Sequence, residues 1–123
     1  MERVGKPQVL FVDGDPHVLR VFGRIFRREA ASWELRFAPS GDAALVMLDQ
    51  FQFDLVVCDL DMPGINGVAL LAIVKRRTPR AVRVLHTASV VDPASIDVDV
   101  VLDKLCDQSV LRETICGLLS AAG

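Results

Sequence analysis

Apolar positions along this chain fall into short unbroken runs separated by amphipathic stretches. Val9-Leu10-Phe11-Val12 is one such run, the pattern of a strand buried on both faces. It stops at Asp13-Gly14-Asp15-Pro16, where Asp15 suits a helix N-cap and Pro16 the first helical position. The helix that follows carries Val18, Leu19, Phe22, Ile25 and Phe26 on one side and Arg20, Arg24, Arg27 and Arg28 on the other. Residues 33–38 alternate polar and apolar, as a strand nearer a sheet edge does. Ser40-Gly41-Asp42 opens a second helix with Ala44, Leu45 and Leu48 inward. Residues 54–58 form a third strand, and a helix over about 68–77 buries Leu70, Leu71 and Val74. A fourth strand over 82–86 ends at Thr87, and a fifth over 98–102 ends near Lys104. Residues 110–119 close the chain as a helix with Leu111, Ile115, Leu118 and Leu119 apolar.

Strand and helix alternate five times, which predicts an α/β fold: a parallel sheet, helices on both faces and right-handed crossovers. The expected architecture is a flavodoxin-like doubly wound fold with strand order 2-1-3-4-5. Strands one and three are then neighbours, so the carboxylates of Asp13 and Asp59 converge at their ends. Thr87 and Lys104 fall on the same edge.

Composition adds bounds. A chain of 123 residues, 51% apolar, is one domain with ample material for a core. A formal charge of -2 makes no case for a nucleic-acid or membrane surface. No apolar run has transmembrane length, and the N-terminal MERVGKPQ lacks signal-peptide character. Cys58, Cys106 and Cys116 have no metal spacing and read as reduced thiols in a cytoplasmic protein. The tail Ser120-Ala121-Ala122-Gly123 reads as a natural end or as the start of a linker to a further domain.

The most informative stretch is Val56-Val57-Cys58-Asp59-Leu60-Asp61-Met62-Pro63-Gly64-Ile65-Asn66-Gly67. An apolar strand cannot hold a charge in its interior, so Asp59 stands where the strand leaves the core. Ligands of open α/β sheets bind at that edge. A carboxylate there can serve as metal ligand or nucleophile, or simply cap the next turn.

From about residue 8 to residue 119 the chain resembles the receiver domains of bacterial two-component response regulators. The resemblance rests on Asp59-Leu60-Asp61-Met62-Pro63-Gly64-Ile65-Asn66-Gly67, with the acidic turn at Asp13, Thr87 after strand four and Lys104 after strand five. It implies that Asp59 accepts a phosphoryl group from a sensor histidine kinase or phosphotransfer protein. It also implies Mg²⁺ held at Asp13, Asp59 and Asp61, the last through its backbone carbonyl, with Lys104 and Thr87 contacting the phosphoryl oxygens. A signalling domain is implied rather than an enzyme, capable at most of self-phosphotransfer and autodephosphorylation. A C-terminal output domain and a homodimer are compatible with it; direct nucleic-acid or membrane binding is not expected.

Four positions depart from the family pattern. Gly14 stands where a second acid is usual, which weakens the expected Mg²⁺ site unless Asp15 or the Asp61 side chain replaces it. Val101 replaces the usual aromatic switch residue. Leu105 follows Lys104 where a cis proline is usual, so a trans peptide is expected. The interval from Thr87 to Lys104 is about a helical turn short, leaving room for only a short helix near Asp92-Pro93-Ala94-Ser95. These departures define an alternative, a degenerate receiver acting as a phosphate-independent interaction module. A further alternative is a haloacid-dehalogenase-like phosphatase, suggested by the Asp13-Gly14-Asp15 and Asp59-Leu60-Asp61 turns but lacking that family's later acidic pair and the length for a cap domain. The arginine side of the first helix reads foremost as a solvated face, with docking of an acidic partner as its functional alternative. His17 and His86 read as structural.

Overall fold

The computed structural model describes residues 5–122. Residues 1–4, part of the stretch read above as lacking signal character, and Gly123 of the tail lie outside the described residues. Five strands, β1 (Gln8–Val12), β2 (Glu34–Ala38), β3 (Leu55–Cys58), β4 (Val82–Thr87) and β5 (Val100–Asp103), form one parallel sheet in the order β2-β1-β3-β4-β5. Four α-helices, α1 (Pro16–Ile25), α2 (Gly41–Gln50), α3 (Gly67–Arg77) and α4 (Gln108–Ala122), cover its faces. The doubly wound fold and strand order match the expectation from the apolar pattern.

Side-chain alternation along β1 divides the core into two layers. Val9 and Phe11 pack with Phe22 and Phe26 from the α1 end and with Leu111 and Ile115 of α4. Leu10 and Val12 pack with Ala44 of α2 and with Leu70, Leu71 and Val74 of α3. The Phe11 ring lies 4.6 Å from that of Phe22 and 5.3 Å from that of Phe26. Each fully buried aromatic side chain contributes about 2–3 kcal/mol through water exclusion. This layer fixes where β1 ends, and therefore where Asp13 emerges.

Caps set the helix starts. Asp15 accepts from His17 N at 2.9 Å, with Pro16 in the first turn of α1. Ser40 Oγ accepts from Ala43 N, and Asn66 Oδ1 accepts from Ala69 N, opening α2 and α3. The first helix stops at Ile25, so Arg27 and Arg28 lie beyond it rather than on its outer face. The chain there turns into a 3-10 turn at Glu29–Ala31. β2 is the edge strand that its alternation predicted.

β5 begins at Val100, two residues later than the apolar run suggested. Asp99 explains the delay: its backbone N donates to Arg83 O, and its carboxylate accepts from Arg83 N. Between β4 and β5 a single 3-10 turn at Pro93–Ser95, capped by Asp92, stands where a fourth crossover helix would lie. Among the described residues no peptide bond is cis, so the Lys104–Leu105 bond is trans as expected. No helix is long and apolar enough to cross a membrane among the described residues.

Candidate functional site

The carboxyl ends of β1, β3 and β5 meet. Asp13 continues β1 through a bond from its N to Ala38 O, Asp59 continues β3 through a bond from its N to Val12 O, and Lys104 continues β5 through a bond from its N to Thr87 O. Three side chains distant in sequence therefore converge because their strands are neighbours or near neighbours in one sheet. Lys104 Nζ lies 3.0 Å from Asp13 Oδ2 and 3.2 Å from Asp59 Oδ1. The Asp13 and Asp59 side chains are 2% and 8% exposed, and that of Lys104 is 22% exposed.

Two carboxylates held this close inside the protein repel, and the ammonium between them offsets that repulsion. Burial alone would lower the Lys104 pKa, but its contacts with Asp13 and Asp59 outweigh that and hold it above the usual lysine value. Beside Asp59, burial drives the Cys58 thiol far above its usual range, reinforced by the charges of Asp59 and Asp13, so Cys58 behaves as an inert apolar filler. Cys58 Sγ donates to Asp59 O at 3.2 Å. Burial and the Lys104 charge push His86 down to about 4, which leaves it neutral against Phe22 at a ring separation of 5.2 Å.

The remaining expected residues sit beside this cluster, turned to other partners. Thr87 is buried at the end of β4, and its hydroxyl accepts from Ser89 N at 3.0 Å. The Asp61 carboxylate accepts from Ser89 Oγ at 2.8 Å, across 28 positions of chain. Ser89 thus joins the loop after β3 to the loop after β4. Sequence reasoning passed over it, since a lone serine two residues past a strand end carries no periodic or motif signal. Asp15 is committed to capping α1, so neither Asp15 nor the Asp61 side chain turns toward Asp13 in this structure. The same commitments deprive both Asp-x-Asp turns of the paired carboxylates that the phosphatase alternative needs.

Carboxylate oxygens are the donors that Mg²⁺ prefers, and Asp13 and Asp59 supply two on one side of the cluster. Asp13 Oδ2 is buried and, among the described residues, has no partner apart from the Lys104 ammonium. A Cβ added at Gly14 would meet Pro63 and Met62 only at ordinary contact distances of 3.9 and 4.0 Å, so packing at that position does not demand glycine. No group of three His, Cys, Asp or Glu side chains that could hold a metal forms among the described residues. The donor chemistry fits Mg²⁺, which takes a few protein oxygens and keeps waters for its remaining positions.

Glycines shape the turn that presents Asp59. Gly64 adopts φ +79, the left-handed region that a Cβ disfavours. Gly67 starts α3 so close to Asp59 that an added Cβ would collide with the Asp59 carbonyl.

Comparison with known proteins places these features in a group. The model of the response regulator receiver domain matches residues 9–115. The nitrate/nitrite response regulator protein NarP of Escherichia coli K12 is 26% identical over 107 residues, covering 87% of this chain and 48% of that protein. The chain thus spans about half the length of that curated relative. A CheY-like receiver domain protein from Methanospirillum hungatei JF-1 superposes with a TM-score of 0.86 at 20% identity, covering 96% of this chain and 97% of that one. The response regulator TrrA of Thermotoga maritima, solved in complex with Mg²⁺-BeF, superposes with a TM-score of 0.80 at 26% identity, covering 91% and 98%.

Proposed function

The chain belongs to the response regulator receiver domain family of two-component signalling, and we propose that within it Asp59 accepts a phosphoryl group from a sensor histidine kinase or a phosphotransfer protein. The observation that carries this reading is the convergence of Asp13, Asp59 and Lys104 at adjoining strand ends. An Asp59 carboxylate oxygen bonds to phosphorus as the bond from phosphorus to the donor imidazole breaks. Oδ1 already faces Lys104, and Oδ2 has no hydrogen bond among the described residues, so Oδ2 is the oxygen offered for attack. Lys104 then follows the negative charge onto the phosphoryl oxygens. Thr87 rotates its hydroxyl from Ser89 N to donate to the same group. Asp13, Asp59 and the Asp61 carbonyl are the groups that would hold Mg²⁺. When bound, the ion supplies charge neutralisation between carboxylate and donor.

Incubation with acetyl phosphate and Mg²⁺ tests this. The intact mass should rise by one phosphoryl group, and Asp59→Asn should remove the gain; an unchanged mass in wild-type protein with active donor would sink the reading.

A second reading, a phosphate-independent interaction module, is favoured by one observation: the site has two carboxylates, a lysine already between them and a bare Gly14. Mg²⁺ with beryllofluoride separates the two. Chemical-shift changes centred on Asp59 support the phosphoacceptor, and a silent spectrum supports the module. The matched relative is about twice as long as this chain, and we read the chain as the signal-receiving part of a cytoplasmic protein with a separate output domain.

A further inference from the structure

We propose that the cleft between the end of α1 and the side of α4 binds a compact phosphate-bearing anion with two or more negative charges, at a site separate from Asp59. Arg24, Arg27, Arg28 and Arg112 line this concavity with Ile25, around a volume of about 520 Å³. The reading of the first helix as a solvated arginine face does not account for it. Arg27 and Arg28 have left the helix, and Arg112 arrives from α4, 83 positions along the chain from its partner Glu29.

Charge bookkeeping singles the cleft out. Glu29 grips Arg112 through two bonds of 3.1 and 2.7 Å, which fixes the guanidinium plane, and the Arg112 bond holds the Glu29 carboxyl below its usual range. Arg24, Arg27 and Arg28 form no ion pair among the described residues. Four guanidinium groups, set against the carboxylates of Glu29 and Glu113 that act on Arg112, leave two positive charges here, in a chain whose formal charge is -2. The helix dipole rewards a cation in the last turn of α1, where Arg24 stands, and says nothing for the other three. Like charges gathered around one concavity repel one another.

The chemistry of the lining selects the ligand. Guanidinium groups are planar forks that match phosphate oxygens in pairs. Among the described residues Ile25 is the only apolar liner, so the cleft is not built for an aliphatic or aromatic ligand. The volume falls in the range of small-ligand sites. A docked protein segment would need a broader surface with an apolar centre, which this cleft lacks.

Titration with pyrophosphate at fixed ionic strength, followed by calorimetry and by backbone amide shifts, tests the proposal. Saturable one-to-one binding is expected, with shifts confined to residues 24–28 and the neighbourhood of Arg112. The double variant Arg27→Glu/Arg28→Glu, at two exposed positions, should weaken it about tenfold or more, as loss of charge-assisted bonds requires. Asp59→Asn should leave it intact. ADP in a parallel titration distinguishes a nucleotide from inorganic diphosphate as the source of the group: stronger binding than pyrophosphate marks the nucleotide, equal or weaker binding the free anion. A response that never saturates, a double variant that binds as wild type does, loss of binding in Asp59→Asn, or tighter binding of a glutamate-rich peptide would each overturn the proposal.

Discussion

The strand-end corner and the β4–β5 crossover are both held by ion pairs, yet the two hold in different ways. At the corner Lys104 bridges carboxylates that are 2% and 8% exposed. At the crossover Lys75 meets Asp97 at 2.7 Å, with side chains 54% and 67% exposed, while Arg83 reaches the same carboxylate from the sheet at 3.3 Å. A pair deprived of water is costly to break because the survivor stays stranded, whereas a pair in water exchanges one set of partners for another. The corner is therefore a fixed electrostatic unit. The crossover, with one 3-10 turn in place of a helix, is stitched to α3 by a pair that solvent can replace and to β4 through Arg83, whose side chain is only 6% exposed.

The largest effect that sharpens this contrast is expected for Lys104→Met. Two buried carboxylates would face each other uncompensated, and stability should fall by about 4 kcal/mol in urea denaturation at neutral pH. Adding Asp13→Asn to that variant should recover much of the loss, since the two residues act as one unit. A loss below about 1 kcal/mol would mean that water already serves the corner as it serves a surface pair.

His86 gives the next test. Its value drops from 6.5 to about 4 on folding, so the unfolded chain takes up the proton first as pH falls. The stability it contributes is complete above pH 6.5 and is lost as pH descends toward 4, by about 3 kcal/mol. Denaturation midpoints at pH 7 and pH 4.5 should diverge accordingly, and His86→Gln should flatten the difference. An equal acid response in that variant would assign the loss to other groups.

The smallest effect belongs to the crossover. Lys75→Ala should cost no more than about 0.5 kcal/mol, and added salt should erase even that. A cost above about 1.5 kcal/mol would abolish the distinction between the two regions.

How far the molecule could be read in advance follows the same division. Strands buried on both faces announce themselves as apolar runs, so β1 and β3 and their terminal Asp13 and Asp59 were legible, and the 2-1-3-4-5 order followed from alternation. The start of β5 was not, because Val98 continues the apolar run while Asp97 and Asp99 are drawn to Arg83 by charges that no periodicity encodes. The end of α1 was missed for a related reason. Arg27 and Arg28 keep the helical spacing, but burial of Phe26 as the cap turns the chain into the next segment. Lys104 was legible as a residue, and its seat between two carboxylates was foreseen only as nearness to a common edge. The Ser89 link to Asp61 depends on two loops meeting in space, which neither loop signals alone.

The contact at Gly67 has a mechanical meaning. Most helix-to-strand junctions are cushioned by side chains, which can change rotamer and absorb a small displacement. Here the first turn of α3 rests on the Asp59 carbonyl with no side chain between them, and Gly67 N is bonded to Leu60 O at 3.0 Å. Backbone bearing on backbone has no such slack. A shift of the Asp59 main chain is delivered directly to the first turn of α3, with no rotamer between them to take it up.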